Sequence, residues 1–348
     1  MSKAYDVTLI ANHSQKEIID GIQIIPSKVF SNRKYRVFFS WYWMFFKAIK
    51  VNAKLYHFHD PELIPCGLLL KILGKKVIYD IHENIAEDIF DKPWIKNPKL
   101  AYRIFNAFEK LAVKHFFIIL AENSYQNRYI QLNANYQVVL NYCDVDFFKN
   151  YTSTPSKETI NLFYIGILLE NRGILQIIEA MILLINKGIK IKFHIVGELY
   201  SDLRKKISGL EDYQHIKEHL VFYDRRPLDQ GYELASKMNI GMCIIWPMKN
   251  SMESYPTKLF EYMAVGLPII TSNFPLYKKV VEQNGCGICV NPMSAIEISE
   301  AIEELINNVS KSEQMAKNGK KTVLEQYNWE TQKPILTKVY AQLLKKEK

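Results

Sequence analysis

No run in this 348-residue chain is apolar for the roughly 18–20 residues that a membrane-crossing helix requires, so no bilayer span is expected. The opening MSKAYDVTLIANHSQ lacks a basic segment, an apolar core and a small-residue cleavage site, so no secretory leader is expected. Cysteine is scarce and scattered: Cys66, Cys143, Cys243, Cys286 and Cys289. An odd number without regular spacing speaks against a disulfide scaffold. The Cys-x-x-Cys at 286–289 has no second pair to complete a structural zinc site, which leaves reduced thiols of a cytoplasmic protein. No fixed-period repeat or low-complexity tract occurs. With 14 Gly and 13 Pro the chain is neither collagen-like nor disordered.

What the chain has is apolar mass, 48%, against 23% charged residues. At about 150 residues per domain, this predicts two globular domains with cores of their own. Lysine and arginine number 45 against 36 aspartates and glutamates, a formal +9. That excess favours acidic partners: nucleotides, phosphorylated metabolites, nucleic acid or an anionic membrane surface.

Short β-rich runs alternate with helix-period runs. Strands are expected at Asp6–Ala11, Lys54–Phe58, Lys76–Ile81, Phe116–Leu120 and Gln137–Leu140, with helices near Val37–Val51, Leu63–Leu73, Leu100–His115 and Tyr125–Leu132. The polar stretch NYTSTPSKE, Asn150–Glu158, reads as a linker. The rhythm then restarts, with strands at Ile160–Ile165, Lys192–Val196, Leu220–Phe222, Ile240–Ile244 and Pro268–Thr271. After Asn291 the chain turns helical. The fold class expected is α/β, two doubly wound domains over 1–150 and 156–330, with a C-terminal helix over 331–348. Ligands in such folds bind at the carboxyl ends of the strands, and a cleft between the two sheets is the expected site.

The densest segment is NSMESYPTKLFEYMAVGLPIITSNFP, residues 250–275. Pro256 suits the first turn of a helix from Thr257 to Val265, which Gly266 closes. The amino end of that helix suits a phosphate. Lys258 stands in its first turn, where the helix dipole disfavours a cation unless an anion is bound. Glu261 follows one turn later, and Glu253 precedes it in the loop. A carboxylate accepts hydrogen bonds from neighbouring hydroxyls, which is how ribose or a sugar is held.

Here the chain resembles a family. ESYPTKLFEYMAVGLPII looks like the donor-site signature of the retaining GT-B glycosyltransferases of family 4, glycosyl transferases group 1, with Glu253 and Glu261 as its E-x7-E pair. FYIGILLENRG at 163–173 is similar to the first C-terminal strand and Gly loop, and TVLEQYNW at 322–329 to the segment before the last helix. YHFHDPELIP at 56–65 and VIYDIHE at 77–83 resemble a bacterial surface-polysaccharide subgroup.

The resemblance implies a GT-B fold whose C-terminal helix packs back toward the first domain. It implies that Glu261 binds the ribose, that Glu253 and His82 face the transferred sugar, and that Thr257 belongs to the donor site. Gly166 would let its loop approach the diphosphate, which Arg172 and Lys258 would neutralise. No metal, cofactor or protein nucleophile is implied. The substrate would be a nucleotide diphosphate sugar, a UDP-sugar, and the acceptor a polysaccharide or lipid-linked oligosaccharide, with no role for nucleic acid. Ile167 departs from the pattern, standing where the family has an arginine. Arg225 and Arg226 would replace that cation or face the base, or else are two solvated loop arginines.

In the amino-terminal half, His57, His59 and Asp60 end one strand, and His82 and Glu83 end the next. His59, Asp60 and Glu83 are acceptor or cleft candidates; His59 also reads as a capped strand end. A zinc hydrolase built on His57, His59, Asp60 and the His82-Glu83 pair is a competing reading, but it leaves the donor motif unexplained. AYDVTLIA resembles the family's second strand, so a first strand, loop and helix are expected to be absent. Arg33–Lys50 interleaves aromatic and basic residues. It reads either as a peripheral contact on the inner face of the cytoplasmic membrane or as a helix packed on the sheet with snorkelling lysines. Two other functions stay open: a nucleotide-sugar epimerase on the same fold, and an inactive nucleotide-sugar-binding homologue.

Overall fold

The computed structural model describes residues 2–345 apart from 3, 29, 31, 92–94 and 155–157. The chain divides into two compact units, Met1–Leu140 with Gln332–Lys348, and Asn141–Thr331. The break comes before the expected linker, between Leu140 and Asn141. The reason is apolar: Cys143 and Phe148 are buried in the core of the second unit, so the chain has already joined that unit before the polar stretch begins. Residues 155–157 of the expected linker lie outside the described ones. The chain from Gln332 onward counts with the first unit, where the Gln332 side chain accepts a hydrogen bond from the Leu140 N–H at 2.9 Å.

The first unit opens with β1 (Val7–Ala11), β2 (Glu17–Ile19) and β3 (Ile22–Pro26). Asp20 and Gly21 both take left-handed φ, 49° and 77°, and close β2 onto β3 as a tight antiparallel hairpin. β3 then pairs in parallel with β1, giving a three-stranded sheet of order β1-β3-β2. Next come α1 (Arg33–Val51), β4 (Leu55–Phe58), α2 (Ile64–Ile72), β5 (Lys76–Ile81), α3 (Ile85–Asp91), α4 (Pro98–His115), β6 (Phe117–Leu120), α5 (Gln126–Gln131) and β7 (Tyr136–Val138). β4 to β7 form a separate four-stranded parallel sheet in chain order. Val77, Tyr79 and Ile81 of β5, with Ile118 and Leu120 of β6, bury against Ile64 and Leu70 of α2 and Ala112 and Val113 of α4.

The second unit holds α6 (Val145–Phe148), β8 (Ile160–Ile165), α7 (Ile174–Asn186), β9 (Ile191–Val196), α8 (Ser201–Ser208), α9 (Tyr213–Ile216), β10 (Leu220–Tyr223), α10 (Leu228–Ala235) and β11 (Ile240–Cys243). It continues with α11 (Lys249–Glu253), α12 (Thr257–Val265), β12 (Ile269–Ser272), α13 (Pro275–Val281), β13 (Gly287–Val290), α14 (Ala295–Asn307), α15 (Val309–Glu325) and α16 (Trp329–Leu344), whose later turns belong to the first unit. One six-stranded, all-parallel sheet runs β10-β9-β8-β11-β12-β13. Apolar clusters cover it, one built with α7 and α14, the other with α10, α12 and α13. Strand order reverses at β8, so the loops after β8 and β11 flank the switch point where such sheets bind ligands.

All five cysteines are free. Cys286 and Cys289 flank and enter β13, and burial pushes the Cys286 thiol up to about 12. Among the described residues no helix is long and apolar enough to cross a membrane.

Candidate functional site

In the second unit the Gly loop and Lys258 meet beside the switch point. The Gly loop follows β8, with Gly166 at φ 139°. The neighbouring loop after β9 turns on Gly197 at φ 152°, and a Cβ there would stand 2.1 Å from the Gly166 carbonyl oxygen. The two loops are back to back, and only glycine lets them close so tightly. A Cβ on Gly166 would reach the Lys258 ammonium at 3.1 Å. Lys258 lies over the Tyr164 ring, 3.8 Å from its centroid, while the Tyr164 hydroxyl donates to the Ile167 carbonyl at 2.9 Å. A lysine from α12 is thus held against the loop by a cation–π contact.

Helix α12 can deliver that lysine because its other face is buried. Leu259, Phe260, Tyr262, Met263 and Val265 all pack inward, and Gly266 ends the helix at φ 82°. Pro256 is the boundary residue before the helix, with φ −71° and ψ 121°, rather than part of its first turn. Glu261, partly buried, accepts a hydrogen bond from the Tyr232 hydroxyl of α10. Burial pushes the Glu261 carboxyl up; hydrogen bonds from Tyr232 and Thr257 and the Lys258 charge pull the other way without cancelling it. Thr257 is therefore a partner of Glu261.

Arg172 sits half-buried in the turn before α7. Burial raises the Cys243 thiol at the end of β11, while the charges of Lys258 and Arg172 both lower it. Glu253 is exposed and ends the short helix α11, not a loop. Arg225 and Arg226 are exposed after the edge strand β10, with Arg226 over the Tyr223 ring at 5.2 Å. Ile167 is 63% exposed, an apolar side chain where a cation was expected. A groove of about 850 Å³ near Ile160, Ile240 and Pro268 opens at the opposite, amino-terminal end of the strands and touches none of these residues.

The first unit holds a second constellation, centred on a residue not foreseen. Asp80 Oδ2 lies 3.1 Å from His57 Nε2, 3.4 Å from His59 Nδ1 and 3.3 Å from His82 Nε2. The His57 Nδ1 contacts the Tyr340 hydroxyl at 2.5 Å. Burial alone would raise Asp80, but hydrogen bonds from His57, His59 and His82 outweigh it and hold the carboxyl well below its usual range. The bond to Asp80 raises His82 in turn. His59 is thus a bonded member of a cluster rather than a simple strand cap. Asp60 and Glu83 are exposed and stand outside these bonds. Among the described residues, the groups spaced to share a cation are His57, His59 and Asp80, with donor atoms within 4.8 Å of one another, not the set with Asp60 or Glu83.

Tyr164, Tyr232, Asp80 and Tyr340 were missed from sequence. Only Asp80 carried a signal: it lies in β5, two residues before His82, which follows the strand's end.

With the geometry in hand, comparisons with known proteins are specific. The profile of the family described as Glycosyl transferases group 1 matches residues 147–322. The capsular polysaccharide biosynthesis glycosyltransferase CapM of Staphylococcus aureus is 24% identical over 165 residues, 47% of this chain and 41% of that protein. The match thus spans less than half of that relative. Alpha-D-kanosaminyltransferase of Streptomyces kanamyceticus is 22% identical over 296 residues, 79% of this chain and 73% of that one. Among solved structures, Anabaena HepE in complex with UDP superposes with a TM-score of 0.68 at 14% identity, covering 92% of this chain and 86% of that one.

Proposed function

Because the chain belongs to the glycosyl transferases group 1 family and is a glycosyltransferase of the GT-B fold, we propose that it transfers a hexose or N-acetylhexosamine with retention. The donor is a UDP-sugar, and the acceptor a polysaccharide or lipid-linked oligosaccharide. The observation that carries the reading is Glu261: a partly buried carboxylate with a raised pKa, one turn from Lys258, whose ammonium lies beside Gly166. Ribose hydroxyls would donate to Glu261, and the diphosphate would lie over Gly166 between Lys258 and Arg172. UDP in the HepE complex supports the choice of nucleotide.

In the proposed reaction the bond between the anomeric carbon and the phosphate oxygen breaks, and the electron pair leaves with the nucleoside diphosphate. The acceptor oxygen bonds to the same face of the carbon, and its proton passes to the departing phosphate. Lys258, Arg172 and the first N–H groups of α12 take up the charge that develops there, the largest catalytic lever available to such a site. Glu253 addresses the hydroxyls of the transferred sugar. Those cations do the work of a metal on the diphosphate, so turnover proceeds in EDTA. The enzyme works in the cytoplasm, in peripheral contact with the inner membrane face through residues 33–50.

Thermal shift with UDP, GDP and their sugars tests the reading. UDP raises the melting temperature, and Glu261→Ala weakens its binding by about 10- to 100-fold, the loss of roughly 1.5–3 kcal/mol from a charged hydrogen bond. Unchanged UDP and GDP affinities in the variant would remove Glu261 from the ribose. A product that is an isomerised nucleotide sugar, formed without acceptor, would make the enzyme an epimerase.

A further inference from the structure

The charge of the chain is unevenly divided. The first unit carries 24 Lys and Arg against 13 Asp and Glu, a formal +11; the second carries 21 against 23, a formal −2. Within the first unit, that charge coincides with exposed apolar surface on three helices packed side by side, α1 against α2 and α2 against α4.

One face of α1 is committed to the core, where Ala48 is buried and Trp41, Met44 and Phe45 pack. The opposite face is not polar. Tyr35, Phe39, Tyr42, Trp43, Phe46 and Ile49 are exposed, and their spacing of three and four residues aligns them in one stripe. Helix α4 repeats the pattern: Ala112 and Val113 face inward, while Leu100, Ile104, Phe108 and Leu111 are exposed. Between them, Ile72 and Leu73 at the end of α2 are 79% and 53% exposed. Single exposed apolar side chains are ordinary, but stripes on adjacent helices mark an interface.

Charge selects what covers it. Helix α1 contains no acidic residue. The one acid on α4, Glu109, is buried and accepts from Arg128 and the Tyr129 hydroxyl. Lys50, Lys99, Arg103, Lys110 and Lys114 are exposed among the stripes. Lys28 sits over the Trp43 ring at 4.5 Å. A second copy of this face would bring like charge against like. An anionic bilayer offers both complements, headgroups for the cations and the acyl boundary for the rings.

We infer that the α1–α2–α4 face of the first unit docks on an anionic lipid bilayer. The inference rests on the membrane contact proposed for residues 33–50. It adds α4 as a second anchor and makes lipid charge the selector. Each basic side chain at the surface contributes about fivefold in affinity at low salt, and each buried aromatic ring about tenfold.

Co-sedimentation of the full chain with phosphatidylglycerol–phosphatidylcholine vesicles, and with phosphatidylcholine alone, tests it. Binding is expected on the anionic vesicles, with a loss of at least about tenfold on the neutral ones and in high salt. Trp43→Ser with Phe46→Ser on α1, and Ile104→Ser with Phe108→Ser on α4, should each cost about tenfold or more. UDP thermal shift, read in parallel, stays unchanged in both pairs. Should a pair lose that shift, Lys110→Glu with Lys114→Glu takes its place, with the same expected loss on anionic vesicles. Equal binding to both lipids, an α4 variant that binds as the wild type, or a solution dimer that these substitutions dissociate would each overturn the inference. Vesicle binding without a UDP response would sink the donor reading alone; a UDP response without vesicle binding would sink the docking face alone.

Discussion

Each unit sets one carboxylate among its candidate functional residues, and the two are held in opposite ways. Asp80 is pulled down because three imidazoles of the same chain converge on one of its oxygens and outweigh burial. Glu261 is pushed up because burial outweighs the two hydroxyls and the ammonium that face it. In the first constellation the imidazoles of the same chain all face Oδ2, while Oδ1 is buried without a hydrogen-bond partner. In the second, Tyr232 and Thr257 already donate to Glu261, and under the proposed function ribose hydroxyls would add to them. Pairing with the chain's own groups lowers the one carboxyl and burial raises the other, and it is the raised one whose charge a partner's donors would favour.

The largest effect that tests this contrast lies beneath the candidate donor residues. Phe163 in β8 is fully buried between the Tyr232 and Tyr262 rings. Phe163→Ala is expected to cost the second unit about 3–5 kcal/mol and to loosen the Tyr232 hydroxyl from Glu261. Leu9→Ala in β1, where Leu9 is 48% exposed, should stay within about 0.5 kcal/mol. Peptide-level hydrogen exchange in denaturant reads each unit separately, and comparable losses from both substitutions would contradict the placement of the cores.

A smaller effect is expected from Asp80→Asn, about 1.5–3 kcal/mol, because three imidazoles lose their charged acceptor. Its signature is in pH. The Asp80 pKa is depressed, so its contribution is present above the ordinary value of 3.8 and is lost as pH falls through the native value. The His82 pKa is raised, so its contribution is complete below 6.5 and is lost as pH rises through the higher native value. Melting of the first unit should therefore weaken on the alkaline side in the wild type and flatten in the variant. Identical slopes from about pH 6 to 8 would show that His82 is not held by Asp80.

The smallest effect is the most telling. A carboxyl whose native pKa is raised stabilises most below its ordinary 4.5, and that contribution disappears as pH rises through the native value. At neutral pH Glu261→Gln should leave the nucleotide-free second unit unchanged or more stable by up to about 1 kcal/mol, while nucleotide binding falls. A loss of stability as large as that of Asp80→Asn would mean that Glu261, too, serves the fold.

Much of this was readable beforehand, and the exceptions have physical causes. The alternating rhythm located the parallel strands β4 to β12 to within a residue or two, because strands covered on both faces are apolar throughout. The hairpin of β2 and β3 was overlooked although its signal was present: Asp20-Gly21 between Ile-rich runs is a two-residue turn. Asp80 was passed over because attention fell on strand ends. Yet the parallel register pairs His57 with Ile78, which brings His59 level with Asp80. The domain break was misplaced because polarity marks where a chain is wet, not where it changes core; Phe148 is buried with the second unit before the polar stretch begins. Tyr232 and Tyr340 had no local signal, since their partners lie 29 and 283 residues away.

That last separation has a consequence for synthesis. The first unit is made of the first 140 residues and the last 17, so a nascent chain carries all of the second unit before it can complete the first. Domains on a ribosome ordinarily finish in the order in which they emerge. Here the order is inverted: the middle of the message closes first, and the beginning waits for Gln332 to meet Leu140 and for Tyr340 to meet His57. Until then the +11 segment and its exposed aromatic helices are held in an unfinished state, and a ribosome that stalls near the end releases a protein whose second unit is whole and whose first is not.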